Sequence, residues 1–178
     1  MKKFLTVAAF MAVGMLSAAN LFASSSYDSW RIEPTVGPTI DIHNWGGTQF
    51  SMNVKVGKGE NWSGLMGFAF GGLNKAQIKI GAAFDYPFYF TFSKSEDFAV
   101  GPTADAGMKF GFGNIGTTID FFNLGFGCRT AYRITDDFGV VADLVHFSMS
   151  FVGWASGAGV NSGFRMAYDM QFGIFYLF

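Results

Sequence analysis

The stretch WRIEPTVGPTIDIH, residues 30–43, alternates between apolar side chains and side chains that are charged, polar or small. Its even positions carry Trp30, Ile32, Pro34, Val36, Pro38, Ile40 and Ile42. Its odd positions carry Arg31, Glu33, Thr35, Gly37, Thr39, Asp41 and His43. Successive side chains of a β-strand point to opposite faces of the sheet, so a period of two indicates a strand. The stretch therefore predicts a strand with one apolar face and one charged face.

The same alternation recurs along the rest of the chain. It is carried by residues 48–58, 61–72, 76–90, 98–113, 121–134, 138–152 and 163–178. Most of these strands exceed the usual length of five or six residues. Tight charged turns and Gly-rich connections join them in alternation. The pattern predicts an all-β chain of eight antiparallel strands in up-and-down order.

The charges indicate which face meets which surroundings. They fall on the odd face, at Arg31, Glu33, Asp41, Lys55, Lys79, Asp85, Asp105, Lys109, Arg129, Arg133, Asp143, Arg165 and Asp169. An Arg or Lys facing lipid at the midplane costs about 2–4 kcal/mol, so we expect the even face to meet lipid and the odd face to form a lumenal ion-pair network. Since an open sheet in lipid leaves its edges unpaired, the last strand must close a transmembrane β-barrel with the first. Nearly every other charge falls in the signal peptide, the amino-terminal segment or a connection. Asp120, at the point where a loop passes into a strand, is the exception whose face the alternation does not assign.

The reversed arrangement is a soluble, lipocalin-like ligand carrier, with the even face lining a cavity and the charges facing water. Side chains just fill an eight-stranded interior, so it cannot hold the many large residues of the even face. The odd face is also rich in glycine, which would weaken water-facing strands. We therefore prefer the membrane arrangement and keep the carrier as an alternative.

Residues 1–23 have the layout of a secretory signal peptide. Lys2 and Lys3 precede the apolar run FLTVAAFMAVGML (4–16), and small residues lead to Ala23. This division leaves residues 24–178 as a single outer-membrane β-barrel domain. Loss of the two lysines takes the formal charge from −1 to −3, which argues against nucleic acid as a partner. Cys128 is the sole cysteine, so no intramolecular disulfide is possible.

Four tryptophans lie near predicted strand ends. Trp30 and Trp62 lie at the end with the charged turns, and Trp45 and Trp154 lie at the end with the Gly-rich loops. Two belts of interfacial aromatics are typical of membrane barrels. We expect these tryptophans to be interface anchors, with the charged turns in the periplasm.

The carboxyl terminus, MAYDMQFGIFYLF, continues the alternation to the last residue. Its final part, QFGIFYLF, resembles the carboxyl-terminal assembly signal of small outer-membrane β-barrels of Gram-negative bacteria, of the OmpA and OmpX kind. The matching positions are Gln171, Gly173, Tyr176 and Phe178. The resemblance implies an eight-stranded barrel in the bacterial outer membrane, surrounded by lipid and lipopolysaccharide and delivered by the barrel assembly machinery. We expect a monomer.

One stretch, VHFSMS, contains residue types that act in catalysis, a His and a Ser two positions apart. His146 and Ser148 are similar to the His-x-Ser pair of the lipid A deacylases, which are also eight-stranded barrels. That family carries an acidic residue between the positions of Ser148 and Asp169 and an Asn after its Ser, whereas this chain has no acid there and has Met149. The alternation also changes phase near Leu144, which a β-bulge explains and which would turn His146 and Ser148 inward. A deacylase-like enzyme is therefore the alternative, and lumenal His and Ser side chains the preferred interpretation.

The sequence contains no motif for a cofactor and no metal-ligand cluster, although a site formed by His43 and His146 is a remote alternative. Small side chains on the odd face would leave room for a narrow water-filled path, while the lumenal Arg and Lys side chains would fill it. The small side chains are Ser63, Gly67, Ala69, Gly101, Thr103, Gly107, Asn123, Gly125 and Ala131. We expect a non-enzymatic outer-membrane barrel, with an envelope-structural role or a narrow passive passage for small solutes.

Overall fold

The computed structural model describes residues 29–42, 47–59, 61–71, 76–90, 98–113, 116–156 and 163–178. The expected signal peptide, His43 and Trp45 lie outside these ranges. The described elements are all strands: β1 Trp30–Asp41, β2 Gly47–Lys58, β3 Trp62–Gly71, β4 Ala76–Asp85, β5 Phe88–Phe90, β6 Phe98–Gly113, β7 Gly116–Arg133, β8 Phe138–Ser156 and β9 Gly163–Leu177. Among the described residues, no helix is long and apolar enough to cross a bilayer, a finding that does not concern strands.

The strands close into a barrel through antiparallel pairs only. Their order is β4-β3-β2-β1-β9-β8-β7-β6-β5, and β4 also pairs with β6. β4 and β5 both pair with β6 and form two parts of one barrel strand, interrupted at Tyr86 and Pro87, where proline has no N–H for the ladder. This confirms the predicted all-β, eight-stranded, antiparallel up-and-down barrel. At the closing seam, the backbone N–H groups of Trp30 and Phe178 donate to each other's carbonyls at 2.9 Å.

Two strands are longer than the alternation predicted. β7 begins at Gly116 instead of residue 121, and β8 continues to Ser156 instead of ending at 152. The two extensions pair with each other, as in the pair of Thr117 with Ser156. Each extension thus has its hydrogen-bond partners on the neighbouring strand.

The barrel has a polar inside and an apolar outside. Lumenal side chains such as Glu33 and Asn123 are 0% exposed. Large apolar side chains on the outside are exposed, among them Phe50, Phe70, Phe88, Phe122, Phe126, Phe151 and Phe172. This distribution is the reverse of what a water-soluble carrier requires, and it matches the surface of a transmembrane barrel.

β7 contains a bulge at Phe121 and Phe122. The register of the β6–β7 ladder shifts next to the pair of Lys109 with Asp120. Both phenylalanines point outward, with 49% and 66% of their surface exposed, whereas Asp120 is only 4% exposed. The extra residue reverses the phase of the alternation, which places the even-numbered carboxylate of Asp120 inside the barrel.

β8 contains a second bulge, at the place where the change of phase predicted one. The register of the β8–β9 ladder shifts between Asp143 and His146. Leu144 and Val145 are both exposed on the outer face, while His146 and Ser148 are buried inside. Polar side chains at even positions beyond the bulge therefore face the lumen.

Tyr168 completes this bulge from the neighbouring strand. Leu144 has no partner in the ladder with β7 or in the ladder with β9. The Tyr168 hydroxyl donates a hydrogen bond to the Leu144 carbonyl. An unpaired backbone carbonyl facing hydrocarbon is unfavourable, so this side chain stabilises the bulge at the site where water is absent.

Replacement of this hydroxyl gives a stability prediction. We expect Tyr168→Phe to lower the free energy of unfolding by about 1–3 kcal/mol, because the Leu144 carbonyl loses its donor. Urea titration of the barrel in phospholipid vesicles, followed by tryptophan fluorescence, measures the difference. Tyr132→Phe is the matched control, since Tyr132 is outward-facing and its hydroxyl has no hydrogen bond among the described residues. Equal losses in the two variants would contradict a specific role for Tyr168.

Candidate functional site

The barrel interior is the candidate functional site, and its largest feature is a group of interacting charges. Three cations and three carboxylates meet across five strands; we call them the six-residue cluster. Its members are Arg31, Glu33, Lys55, Asp85, Arg129 and Asp143. Their side chains are no more than 11% exposed. The cluster is electrically balanced, which is what burial of so many charges requires.

Asp85 and Glu33 are the main acceptors of this cluster. The Asp85 carboxylate accepts hydrogen bonds from Lys55 Nζ at 3.1 Å, from Arg31 Nη2 at 3.0 Å and from the Thr103 hydroxyl at 2.6 Å. Glu33 accepts a hydrogen bond from Arg129. Each carboxylate thus serves more than one cation, so the cluster is a network and not a set of separate pairs.

Asp143 joins the network more loosely. Its carboxylate lies 3.6 Å from Arg129 Nη1 and 4.0 Å from Lys55 Nζ. One of its oxygens, Oδ1, has no hydrogen-bond donor among the described residues. Asp143 therefore balances charge without a short hydrogen bond.

A second group of charges surrounds His146. Its Nε2 lies 2.9 Å from Asp105 Oδ2, and its Nδ1 lies 3.4 Å from Asp169 Oδ2. Lys79 also binds Asp105, and the Thr39 hydroxyl donates to Asp169 at 2.6 Å. The imidazole is thus held between two carboxylates that have partners of their own.

Gly125 makes the space that this imidazole occupies. A Cβ atom built on Gly125 would lie 2.7 Å from His146 Nε2, closer than real Cβ contacts. Any larger residue there would displace the ring or the carboxylate of Asp105. The absence of a side chain at Gly125 therefore fits the charged side chains around it.

The His146 and Ser148 side chains do not form a nucleophile–base pair. The Ser148 hydroxyl has no hydrogen-bond partner among the described residues, and both ring nitrogens of His146 face carboxylates. Ser148 is also only 1% exposed and lies inside the barrel. Activation of a serine requires an adjacent base, so the geometry offers no support for deacylase chemistry.

Polar side chains extend the group around His146, since Thr39, which donates to Asp169, also donates to the Ser51 hydroxyl at 2.9 Å. The Gln171 amide donates to the Ser51 hydroxyl at 2.6 Å, and the Thr35 hydroxyl donates to Gln171 Oε1 at 3.3 Å. Ser51 in turn donates to the Gly37 carbonyl at 3.0 Å. Thr35, Thr39 and Ser51 were not among the predicted site residues, although their odd numbers placed them on the lumenal face, and Thr103 was predicted only as a small residue of the lumenal wall.

The six-residue cluster lies between two cavities. We call one end of the barrel, where β1 begins and the 134–137 turn lies, the turn end. The turn-end cavity has a volume of about 80 Å³ and is lined by Arg31, Asp85 and Arg129 of the cluster. The central cavity has a volume of about 60 Å³ and is lined by Lys55, Asp143 and the groups around His146. These two cavities share no lining residue, so neither of them runs past the cluster.

The other predicted lumenal charges are also inward but lie outside these two groups. They are Asp41, Lys109, Arg133 and Arg165. Lys109 lines the central cavity and Arg133 lines the turn-end cavity. Arg133 and Arg165 make no ion pair or hydrogen bond within the described ranges.

The predicted interface and assembly residues lie as follows. Trp30 and Trp62 begin β1 and β3 at the turn end, and Trp154 lies near the end of β8, at the opposite end. Tyr176 and Phe178 are exposed on the outer face, with Phe178 in the closing seam. Gln171 is buried in the lumen, and Gly173 faces Thr35 across the seam.

The described residues contain no group of three or more His, Cys, Asp and Glu side chains placed to hold a metal ion. Cys128 is exposed on the outer face. The contacts described above for this interior are ion pairs and hydrogen bonds.

The fold and its interior define a class: a closed eight-stranded β-barrel with an ion-paired lumen and an apolar outer face, the architecture of small transmembrane β-barrels. No protein-family model matches the chain, and no curated protein sequence does. Among solved structures, it is similar to a de novo designed transmembrane β-barrel, with a TM-score of 0.47 and 15% identity over 86% of this chain and 98% of that one. It is also similar to Neisserial surface protein A (NspA), with a TM-score of 0.47 and 10% identity over 84% of this chain and 96% of that one. Similarities this distant do not bear on what the chain does.

Neutralising Glu33 tests the six-residue cluster. We expect Glu33→Gln to lower the free energy of unfolding by about 3–5 kcal/mol, because it leaves buried Arg129 short of its closest counter-charge. The double variant Glu33→Gln/Arg129→Gln should recover part of that loss. Denaturant titration in detergent micelles gives these differences as a double-mutant cycle.

Asp136→Asn is the control for this series, since Asp136 is exposed in the turn between β7 and β8. It should change the free energy of unfolding by less than about 0.5 kcal/mol. The cycle compares the single variants Glu33→Gln and Arg129→Gln with the double variant. If the two single losses add up to the loss in the double variant, Glu33 and Arg129 do not stabilise each other.

Proposed function

We propose that the chain is an integral protein of the bacterial outer membrane with a structural role in the envelope. The observation that carries the proposal is the balanced six-residue cluster, which fills the lumen between the two cavities while the outer face is apolar. A barrel of this kind holds its shape without a ligand in its interior. Its binding surface for surrounding molecules is then its apolar outside.

The remaining parts of the proposal follow from the predicted segments. Residues 1–23 direct export, and the carboxyl-terminal signal with Tyr176 and Phe178 is recognised by the barrel assembly machinery. Outer-membrane lipid and lipopolysaccharide surround the barrel, and Trp30, Trp62 and Trp154 anchor it at the two interfaces. The turn end faces the periplasm, and the protein is a monomer. The proposed role requires no cofactor, metal or enzymatic activity.

Membrane fractionation tests the location. We expect the protein in the outer-membrane fraction, as a band that migrates differently in a detergent gel when the sample is boiled. Closed barrels resist detergent because their backbone hydrogen bonds are paired within the protein. A soluble periplasmic protein without a heat-dependent shift would overturn both the location and the membrane arrangement.

A narrow passage for small solutes is the second candidate function. The observation in its favour is that the lumen contains two cavities with the six-residue cluster between them. Conduction would require several buried ion pairs to separate together. Because the cluster is buried and each carboxylate serves more than one cation, we prefer the structural role.

Planar bilayer recording distinguishes the two candidates. We expect purified, folded protein to insert without producing discrete current steps, since the cluster blocks the lumen. Insertion is checked independently by protease protection of the same sample in vesicles. Reproducible single-channel steps that require the folded barrel would show a passage and contradict a closed lumen.

A further inference from the structure

The turn-end cavity differs from the central cavity in its charge. Arg31, Arg129 and Asp85 form its floor and belong to the balanced cluster. Arg133 lines the same cavity and adds a positive charge for which the cluster has no carboxylate left. The cavity therefore carries one cation more than the cluster can neutralise.

No carboxylate of the described residues pairs with Arg133. Asp136 and Asp137 are the nearest in sequence, but both are exposed in the turn that follows β7, and neither forms an ion pair with it. Arg133 itself is only partly exposed. A guanidinium partly removed from water is stabilised by an anion, and its planar fork fits a carboxylate with two parallel hydrogen bonds.

The wall beside Arg133 is apolar. Arg133, Gly139 and Phe175 occupy facing positions on three consecutive strands. Phe175 is an aromatic side chain that points into the barrel, where it is 8% exposed, and its ring lies over Gly139, where a Cβ would collide with it. Ala99 and Ala131 line the same cavity. An anion bound to Arg133 would thus have a hydrocarbon surface next to it.

The volume sets the size of the ligand. About 80 Å³ is room for on the order of five to eight waters at 10–15 Å³ each. That space is enough for a carboxylate with a short carbon chain. In the described part of the chain the cavity lies at the turn end, so a ligand that enters from that side does not displace the cluster.

From the surplus cation, the apolar wall and the volume, we propose that the turn-end cavity is a binding site for a short-chain carboxylate, with Arg133 as the residue that pairs with its oxygens. The site stands on the barrel geometry alone and requires neither conduction nor a particular membrane. It would give the chain a small-molecule ligand in addition to its structural role.

Propionate is the probe, and the folded ¹⁵N-labelled barrel in detergent micelles is the sample. At constant ionic strength, propionate should shift the backbone amide resonances of Gly101, Ala131 and Phe175, while those of Asn123 and Ser150 in the other half of the barrel stay in place. Propionamide, which has the same shape without the charge, should produce no saturable shift. Inorganic phosphate should bind more weakly, because it has no carbon chain to meet the apolar wall.

Two arginine variants locate the site. Arg133→Gln should weaken propionate binding at least about tenfold, the loss of one charge-assisted contact. Arg165→Gln removes the other unpaired lumenal arginine, near the opposite end, and should leave the affinity unchanged. If Arg133→Gln does not fold, Arg133→Lys replaces it; this variant keeps the charge but loses the fork, so it should also bind more weakly.

Several outcomes would overturn the proposal. They are an absence of propionate-dependent shifts at the cavity amides, equal binding of propionamide or phosphate, and an affinity that does not change when Arg133 is replaced. Because the assay uses purified barrel in micelles, a negative result would leave the proposed envelope role intact. Failure of the protein to reach the outer membrane would, conversely, leave the binding site intact.

Discussion

Pairing of β1 with β9 is the constraint on which the rest of the structure depends. In hydrocarbon, no water is available to the N–H and C=O groups of an open sheet edge, so a sheet that crosses a bilayer must close. The closing ladder runs from Arg31 opposite Leu177 to Asp41 opposite Ala167, and Trp30 and Phe178 extend it by two further hydrogen bonds. Closure then forces one face of every strand into a narrow lumen, where all its polar side chains must satisfy one another.

The charged interior follows from that confinement. Glu33 and Arg129 are 96 residues apart in sequence and bind each other because closure brings their strands to opposite sides of one lumen. A buried charge without a partner is costly, so charges in a closed interior have to balance nearly in place. The six-residue cluster achieves this balance, and Arg133, which lines the same cavity as three of its members, is not part of it.

The bulges show how the barrel accommodates side chains at odds with its alternation. Asp120 and His146 are both even-numbered, and in an unbroken ladder both would face lipid. Each lies next to a bulge that sends two consecutive apolar residues outward and turns the polar side chain into the lumen. The hydroxyl of Tyr168 then satisfies the carbonyl that the β8 bulge leaves unpaired. The two bulges thus leave the polar groups inside the barrel and keep its outer surface apolar.

The sequence by itself determined the strand number, the order of the strands, their two faces and the bulge in β8. These features are local, because side chains alternate along a strand whatever the rest of the chain does. The inward position of the odd-numbered charges within the strands was predictable for the same reason, and the phase change near Leu144 was visible in the sequence. The place of Asp120, the break at Pro87 and the full lengths of β7 and β8 were not, since each depends on what a neighbouring strand offers. Only the tertiary structure decided which charges meet, where the two cavities lie and that Arg133 has no counter-charge in the cluster, because strand stagger around a closed barrel sets distances across the lumen that no local pattern encodes.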